Sequence, residues 1–205
     1  MTREVMLAVT GSGAAVEFAL AEATAVCWSE QIVTKHATEE LDGLAARMLA
    51  AADAQQLRIA TVGVECGPGS FSGMRVTLAF ARAFAWARQL PVLGYDALTL
   101  LYHQQPVPRM VTVLDARRGE LFAALWRDGS RDGDGIRYPA AELVALLQGD
   151  AWTAAGNGAV LLQAAGAPVT LAAELQPRAA TIARLHYAGV PALPQPAARY
   201  VRGAL

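Results

Sequence analysis

The residues best placed to do chemistry form one run, Gly67-Pro68-Gly69-Ser70-Phe71-Ser72-Gly73-Met74-Arg75. It sits between an apolar segment (59–64) and a helical pattern (74–89). In such a place backbone N–H groups converge on an anion at a helix N-terminus. Gly67, Gly69, Ser70, Gly73 and Arg75 are therefore candidates for a weak phosphate contact. The run is not a Walker loop, which ends in Gly-Lys-Ser/Thr so that a lysine and a hydroxyl hold phosphate and magnesium. Its G-x-G-x-x-x-G spacing is one residue longer than the dinucleotide fingerprint, and Pro68 lacks a donor. Neither Ser70 nor Ser72 occupies a G-x-S-x-G nucleophile elbow. The same glycines also fit a tight turn that lets a helix pack closely on its strand.

Other ionisable residues carry weaker signals. His36, His103 and His186 are scattered, without the H-x-x-x-H or H-E-x-x-H spacing that puts two imidazoles on one helix face. Metallopeptidase chemistry is not supported, and no metal site is expected. Asp115 closes an apolar run beside Arg117 and Glu120; it fits a hinge or partner contact, or a turn residue bonding its own backbone. Asp53 and the charges of 128–134 read as solvated loops. Cys27 and Cys66, the only cysteines, form no C-x-x-C pair and read as reduced thiols, with Cys66 buried and inert beside the loop.

Positioning these residues requires alternating α and β elements. Residues 5–9 and 14–20 flank Thr10-Gly11-Ser12-Gly13 as a strand, a glycine turn and a second strand, with a third at 24–28. Leu41, Leu44, Ala45, Met48, Leu49 and Ala52 recur at helical spacing over 39–52, with Thr38 as an N-cap. A strand over 59–64, the glycine loop, a helix over 74–89, a strand at 91–94 and a helix from Asp96 to Gln104 follow. Gln104 to Arg109 is polar and proline-punctuated, which places a boundary there. Strand, turn and strand then recur at 110–115, 116–120 and 121–126, so the chain reads as two related α/β units, 1–105 and 106–205. Weaker patterns predict a helix at 140–147, a strand at 151–155, a turn at 156–158, a helix at 178–187 and an extended proline-rich tail.

Composition limits the partners. With 205 residues, 54% hydrophobic and 17% charged, the chain can bury two cores. Its 17 basic and 18 acidic side chains give a net charge of −1, too little for a phosphate backbone to be held by a global field. Contact with tRNA is expected only indirectly, on a surface shared with a partner. No apolar run reaches spanning length or forms a signal-peptide core, so a cytoplasmic location without membrane contact is expected.

The loop resembles the G-P-G-S-F-T-G-[VL]-R segment of the TsaB (YeaZ) family, with Ser72 for threonine and Met74 for the aliphatic residue. Further likenesses run in order along the chain. Leu7-Ala8-Val9 resembles the first family strand, His36 the histidine before the first helix, and Pro91-Val92-Leu93-Gly94 the strand after the second. Asp115-Ala116-Arg117-Arg118-Gly119-Glu120-Leu121-Phe122 is similar to D-A-R-x-G-E-[VL]-[YF]. Gly156-Asn157-Gly158, Pro177-Arg178-Ala179 and Tyr200-Val201-Arg202 match later landmarks.

The resemblance implies two RNase-H-like domains of the actin, sugar-kinase and heat-shock-chaperone superfold. It also implies a non-catalytic partner of TsaD, the related transferase that forms threonylcarbamoyladenosine beside the tRNA anticodon, with the ATPase TsaE completing the assembly. The family's helices pack against TsaD or a second copy of the same protein. Leu41, Leu44, Met48, Phe80, Ala81, Phe84 and Ala85 are accordingly interface candidates, Ala81 and Ala85 because small side chains permit close helix packing. One departure stands out: Thr10 occupies the place of the family aspartate in the first turn. That weakens the alternative reading, an ATP-binding enzyme of the kinase superfold, because a divalent cation needs anionic oxygen ligands. No cofactor is expected beyond weak ATP or ADP binding at a composite interface.

Overall fold

The computed structural model describes residues 2–33, 37–173, 176–193 and 196–198. Two compact units emerge, Met1–Asp96 with Arg178–Ala198, and Ala97–Pro177.

In the first unit, β1 (Arg3–Thr10), β2 (Ala15–Ala21) and β3 (Val26–Val33) form an antiparallel meander, and β4 (Leu57–Glu65) and β5 (Val92–Tyr95) join in parallel, giving the order β3-β2-β1-β4-β5. Val5 to Val9 are all completely buried. An unbroken apolar run of this kind is expected of a strand covered on both faces. Val5, Leu7 and Val9 join a core with Leu44 and Met48 of α1 (Ala37–Ala54) and Ala81 and Ala85 of α2 (Phe71–Ala87). The other face carries α6 (Ala179–Tyr187). There a Cβ on Gly63 of β4 would lie 2.4 Å from Ile182 Cγ2 and 2.9 Å from Met6 Sδ, so only glycine lets α6 sit this close.

The second unit repeats the plan. Antiparallel β6 (Arg109–Arg117), β7 (Glu120–Arg127) and β8 (Ser130–Pro139) are extended in parallel by β9 (Trp152–Ala155) and β10 (Val169–Leu171), in the order β8-β7-β6-β9-β10. Val111, Val113, Leu121 and Ala123 pack with Leu143 and Leu147 of α4 (Ala140–Leu146) and its following turn, and with Leu162 of α5 (Ala159–Ala164). The opposite face packs α3 (Ala97–Gln104), where Tyr102 stacks on Trp126 with ring centroids 4.1 Å apart. Trp126 Nε1 donates to Thr112 Oγ1 at 2.9 Å, satisfying the buried indole.

The repeated strand-turn-strand pattern is thus a repeated five-stranded sheet. The units do not divide at residue 105, however. Leu98, Leu101 and Tyr102 of α3 pack with β6 and β7, and 178–198 return to the first unit, so 1–105 and 106–205 give way to a division with an excursion. The charges of 128–134 are also not a free loop. Asp128 stays in the exposed turn, but from Ser130 onward the segment forms β8, where Arg127 Nε donates to Asp132 Oδ2 at 3.1 Å and the strand satisfies the outer edge of β7. Of the tail, Leu193 N donates to the Gly94 carbonyl at 2.9 Å, an extended bridge onto β5.

What holds the returning helix is a buried acid. Glu17 of β2 accepts from Ala179 N at 3.1 Å and meets Arg178 Nε at 3.2 Å. It therefore satisfies an unpaired donor in the first turn of α6. Glu17→Ala should destabilise the first unit by about 2 kcal/mol. Hydrogen exchange should show faster exchange in 179–187 than in β1, and equal protection in both would refute the latch.

Candidate functional site

The first turn carries an unexpected carboxylate. Parallel register pairs Val9 with Val64, which brings Glu65, the last residue of β4, beside the turn that follows Thr10. Glu65 Oε2 accepts from Gly11 N at 2.9 Å and Ser12 N at 3.0 Å, and Oε1 accepts from Ser12 Oγ. Two successive backbone donors converging on one oxygen form a small anion nest. The carboxylate is 1% exposed. Burial pushes its pKa above the ordinary carboxylate value, the three hydrogen bonds work against that rise, and nearby Asp96 adds to it.

The glycine loop closes over the same turn. Ser70 N donates to the Ser12 carbonyl at 2.7 Å, and a Cβ on Gly69 would lie 2.3 Å from Ser12 Cβ and 2.9 Å from its carbonyl oxygen. Gly69 itself has φ +153°. A Cβ on Gly11 would meet Thr77 Cγ2 at 2.6 Å and the Gly73 carbonyl at 2.9 Å. Thr77 Oγ1 in turn donates to the Gly73 and Met74 carbonyls, each at 3.1 Å. Of the loop residues offered for phosphate, Ser70 therefore has its N–H engaged within the chain, and Gly69 packs directly on Ser12. Gly67 is buried with φ +86°, a turn conformation that favours glycine, and Arg75 is exposed on α2. Gly69→Ala should cost about 2 kcal/mol by forcing the two turns apart. Unchanged urea unfolding of the first unit would contradict this packing.

The interface candidates divide by burial. Leu44, Met48, Ala81 and Ala85 are core residues, each at most 1% exposed. Leu41, Phe80 and Phe84 are half-buried against the same core, with Phe80 4.6 Å from the Phe18 ring and 5.6 Å from Phe84. The fully buried four are therefore withdrawn from the surface. Helical spacing explains it: Ala81 and Ala85 share the inward face, while Arg75, Ala79, Arg82, Ala83 and Trp86 point outward. Trp86 is 84% exposed.

Asp115 serves its own turn. Its Oδ1 accepts from Arg117 N at 2.7 Å, Oδ2 lies 3.3 Å from Arg117 Nη1, and Asp115 N donates to Asn157 Oδ1 at 2.9 Å. Asp53 is exposed, and Cys66 is buried with Sγ 3.7 Å from the Val64 carbonyl. His103 packs edge-on to Tyr102 and His186 against Tyr187, while His36 and 200–202 lie outside the described residues. Among the described residues no cluster of three His, Cys, Asp or Glu side chains could hold a metal. Glu65 and Glu17 were the residues that pattern reading passed over. Their signal is an acid inside, or at the end of, an otherwise apolar strand, which only a dedicated partner makes tolerable.

The family model described as TsaD, tRNA N6-adenosine threonylcarbamoyltransferase, matches residues 30–182, well over half the chain. The chain belongs to this family, in its TsaB (YeaZ) branch. The tRNA threonylcarbamoyladenosine biosynthesis protein TsaB of Escherichia coli is 32% identical over 74 residues, covering 34% of this chain and 31% of that protein. TsaB of Bacillus subtilis is 30% identical over 63 residues, covering 30% and 28%. The chain matches between 23% and 48% of the length of its curated relatives. A crystal structure of a protein with similarity to peptidase YeaZ from Pseudomonas aeruginosa superposes with a TM-score of 0.79 at 23% identity, covering 97% of this chain and all of that one. The fold, two RNase-H-like domains, is thereby shared across both sheets.

Proposed function

We propose that the chain works in the cytoplasm in the formation of threonylcarbamoyladenosine on tRNA, as a non-catalytic partner of a TsaD-type transferase, with a TsaE-type ATPase in the same assembly. Membership of the family supports the pathway. The occupied first turn supports the non-catalytic role. Thr10 brings no charge to the strand end, and the carboxylate beside it, Glu65, is already engaged by three donors. A divalent cation carrying a nucleotide requires anionic oxygens that are open to it. The outward face of α2 supplies a contact surface, since Trp86 is an aromatic anchor and Ala79 and Ala83 beside it permit close approach. No described helix is long and apolar enough to cross a membrane.

Reconstitution tests the proposal. Purified TsaD-type and TsaE-type proteins, tRNA, ATP and the threonylcarbamoyl donor are combined with and without this chain. Modified nucleoside should form only with the chain present, and full activity in its absence would refute the partner role. The ATP-binding alternative predicts saturable heat on titrating the isolated chain with ATP and magnesium, and the partner reading predicts none.

A further inference from the structure

Beyond any partner role, the first turn has a binding capacity of its own. Gly11 N and Ser12 N are adjacent donors aimed at one point, and Ser12 Oγ is a third donor beside them. That is a set of donors for an oxyanion, since hydrogen bonds to a charged acceptor are about twice as strong as neutral ones. The turn is held in this shape from outside. Ser70 N ties down the Ser12 carbonyl, and Gly69, Gly73 and Thr77 leave no slack around Gly11 and Ser12. A preorganised set of donors persists when its ligand changes. What fills it is a side chain from 53 residues further along the chain, brought there by the β1–β4 register.

We propose that the turn between β1 and β2 is an oxyanion-binding site whose resident ligand is the chain's own Glu65 carboxylate, which excludes external carboxylates and phosphates by occupying it. The exclusion is by occupancy, because both carboxylate oxygens sit on the donors and the group is 1% exposed. Glu65→Ala leaves the Cβ and deletes a –CH2–COO− fragment, for which acetate is the matching soluble replacement.

The test is chemical rescue. In acetate, Glu65→Ala should melt several degrees higher than in chloride of equal ionic strength, while wild type and Glu65→Gln melt alike in both salts. The Gly11 and Ser12 amide resonances of the alanine variant should shift saturably with acetate. Rescue no greater than in wild type would overturn the proposal. Should the alanine variant fold in neither salt, the other two proteins decide. In both, the side chain still fills the site, so inorganic phosphate or acetate should leave the Gly11 and Ser12 amides unmoved. Saturable shifts in wild type would show that the site is open. Shifts in Glu65→Gln alone would show that charge repulsion rather than occupancy keeps anions out, and either result sinks the proposal.

Discussion

Glu65→Ala should destabilise the first unit by about 4 kcal/mol, while Glu65→Gln should cost about 1 kcal/mol or less at neutral pH. The alanine variant takes the acceptor away from Gly11 N, Ser12 N and Ser12 Oγ at a buried position, and each buried unsatisfied group costs about 1–3 kcal/mol. Part of that is offset because a desolvated carboxylate is itself unfavourable there. Glutamine keeps a carbonyl oxygen for the two amides and an N–H for the hydroxyl. Because two units unfold in one chain, hydrogen exchange in β1 and β4 is a better measure than a single melting temperature. Equal destabilisation by alanine and glutamine would show that charge, not hydrogen bonding, matters.

The same site sets a pH dependence. The folded pKa of Glu65 lies above its unfolded value, so the native state holds the proton more tightly. Its contribution is therefore complete below the ordinary carboxylate pKa and is lost as pH rises through the raised folded value. Asp96, which ends up 5% exposed after β5, is the charged neighbour that reinforces the shift, and Ser12 and Gly11 face the group from the turn. Wild type should accordingly lose ground against Glu65→Gln as pH rises across that window. A difference that is flat with pH would mean that Glu65 keeps an ordinary pKa.

Much of this architecture was legible from periodicity. The apolar runs and glycine turns of 5–20 and 110–126 located both hairpins, and the 3.6-residue pattern located α1 and α2. Elements that depend on distant partners were not legible. β8 carries Arg131 and Asp132 and exists because β7 needs an edge partner, and the three-residue β10 has too little sequence for any period. The return of α6 to the first unit rests on the Glu17 latch and on Gly63, contacts across more than a hundred residues that no local pattern encodes. The glycine spacing of the loop at 67–73 signals a turn of special geometry, and Gly67 at φ +86° and Gly69 at φ +153° adopt one. Its neighbour was not foreseen, since Glu65 becomes meaningful only once the register sets it against Gly11 and Ser12.

The faces of α2 supply the second large effect. Ala81→Glu or Ala85→Glu should destabilise the first unit by about 4 kcal/mol or more, because an unpaired carboxylate would enter a packed core beside Leu44 and Met48. Ala83→Glu, two residues from either, faces solvent and should change stability by no more than about 0.5 kcal/mol. The two faces thus separate folding from association. If a TsaD-type partner packs on α2, Ala83→Glu and Trp86→Ala should each weaken its binding at least about tenfold, the loss of roughly 1.4 kcal/mol expected at an aromatic anchor and its rim. Light scattering and calorimetry on the folded variants measure this directly. Unchanged affinity in both would move the partner surface off this helix, and the exposure of Trp86 would then need a different occupant.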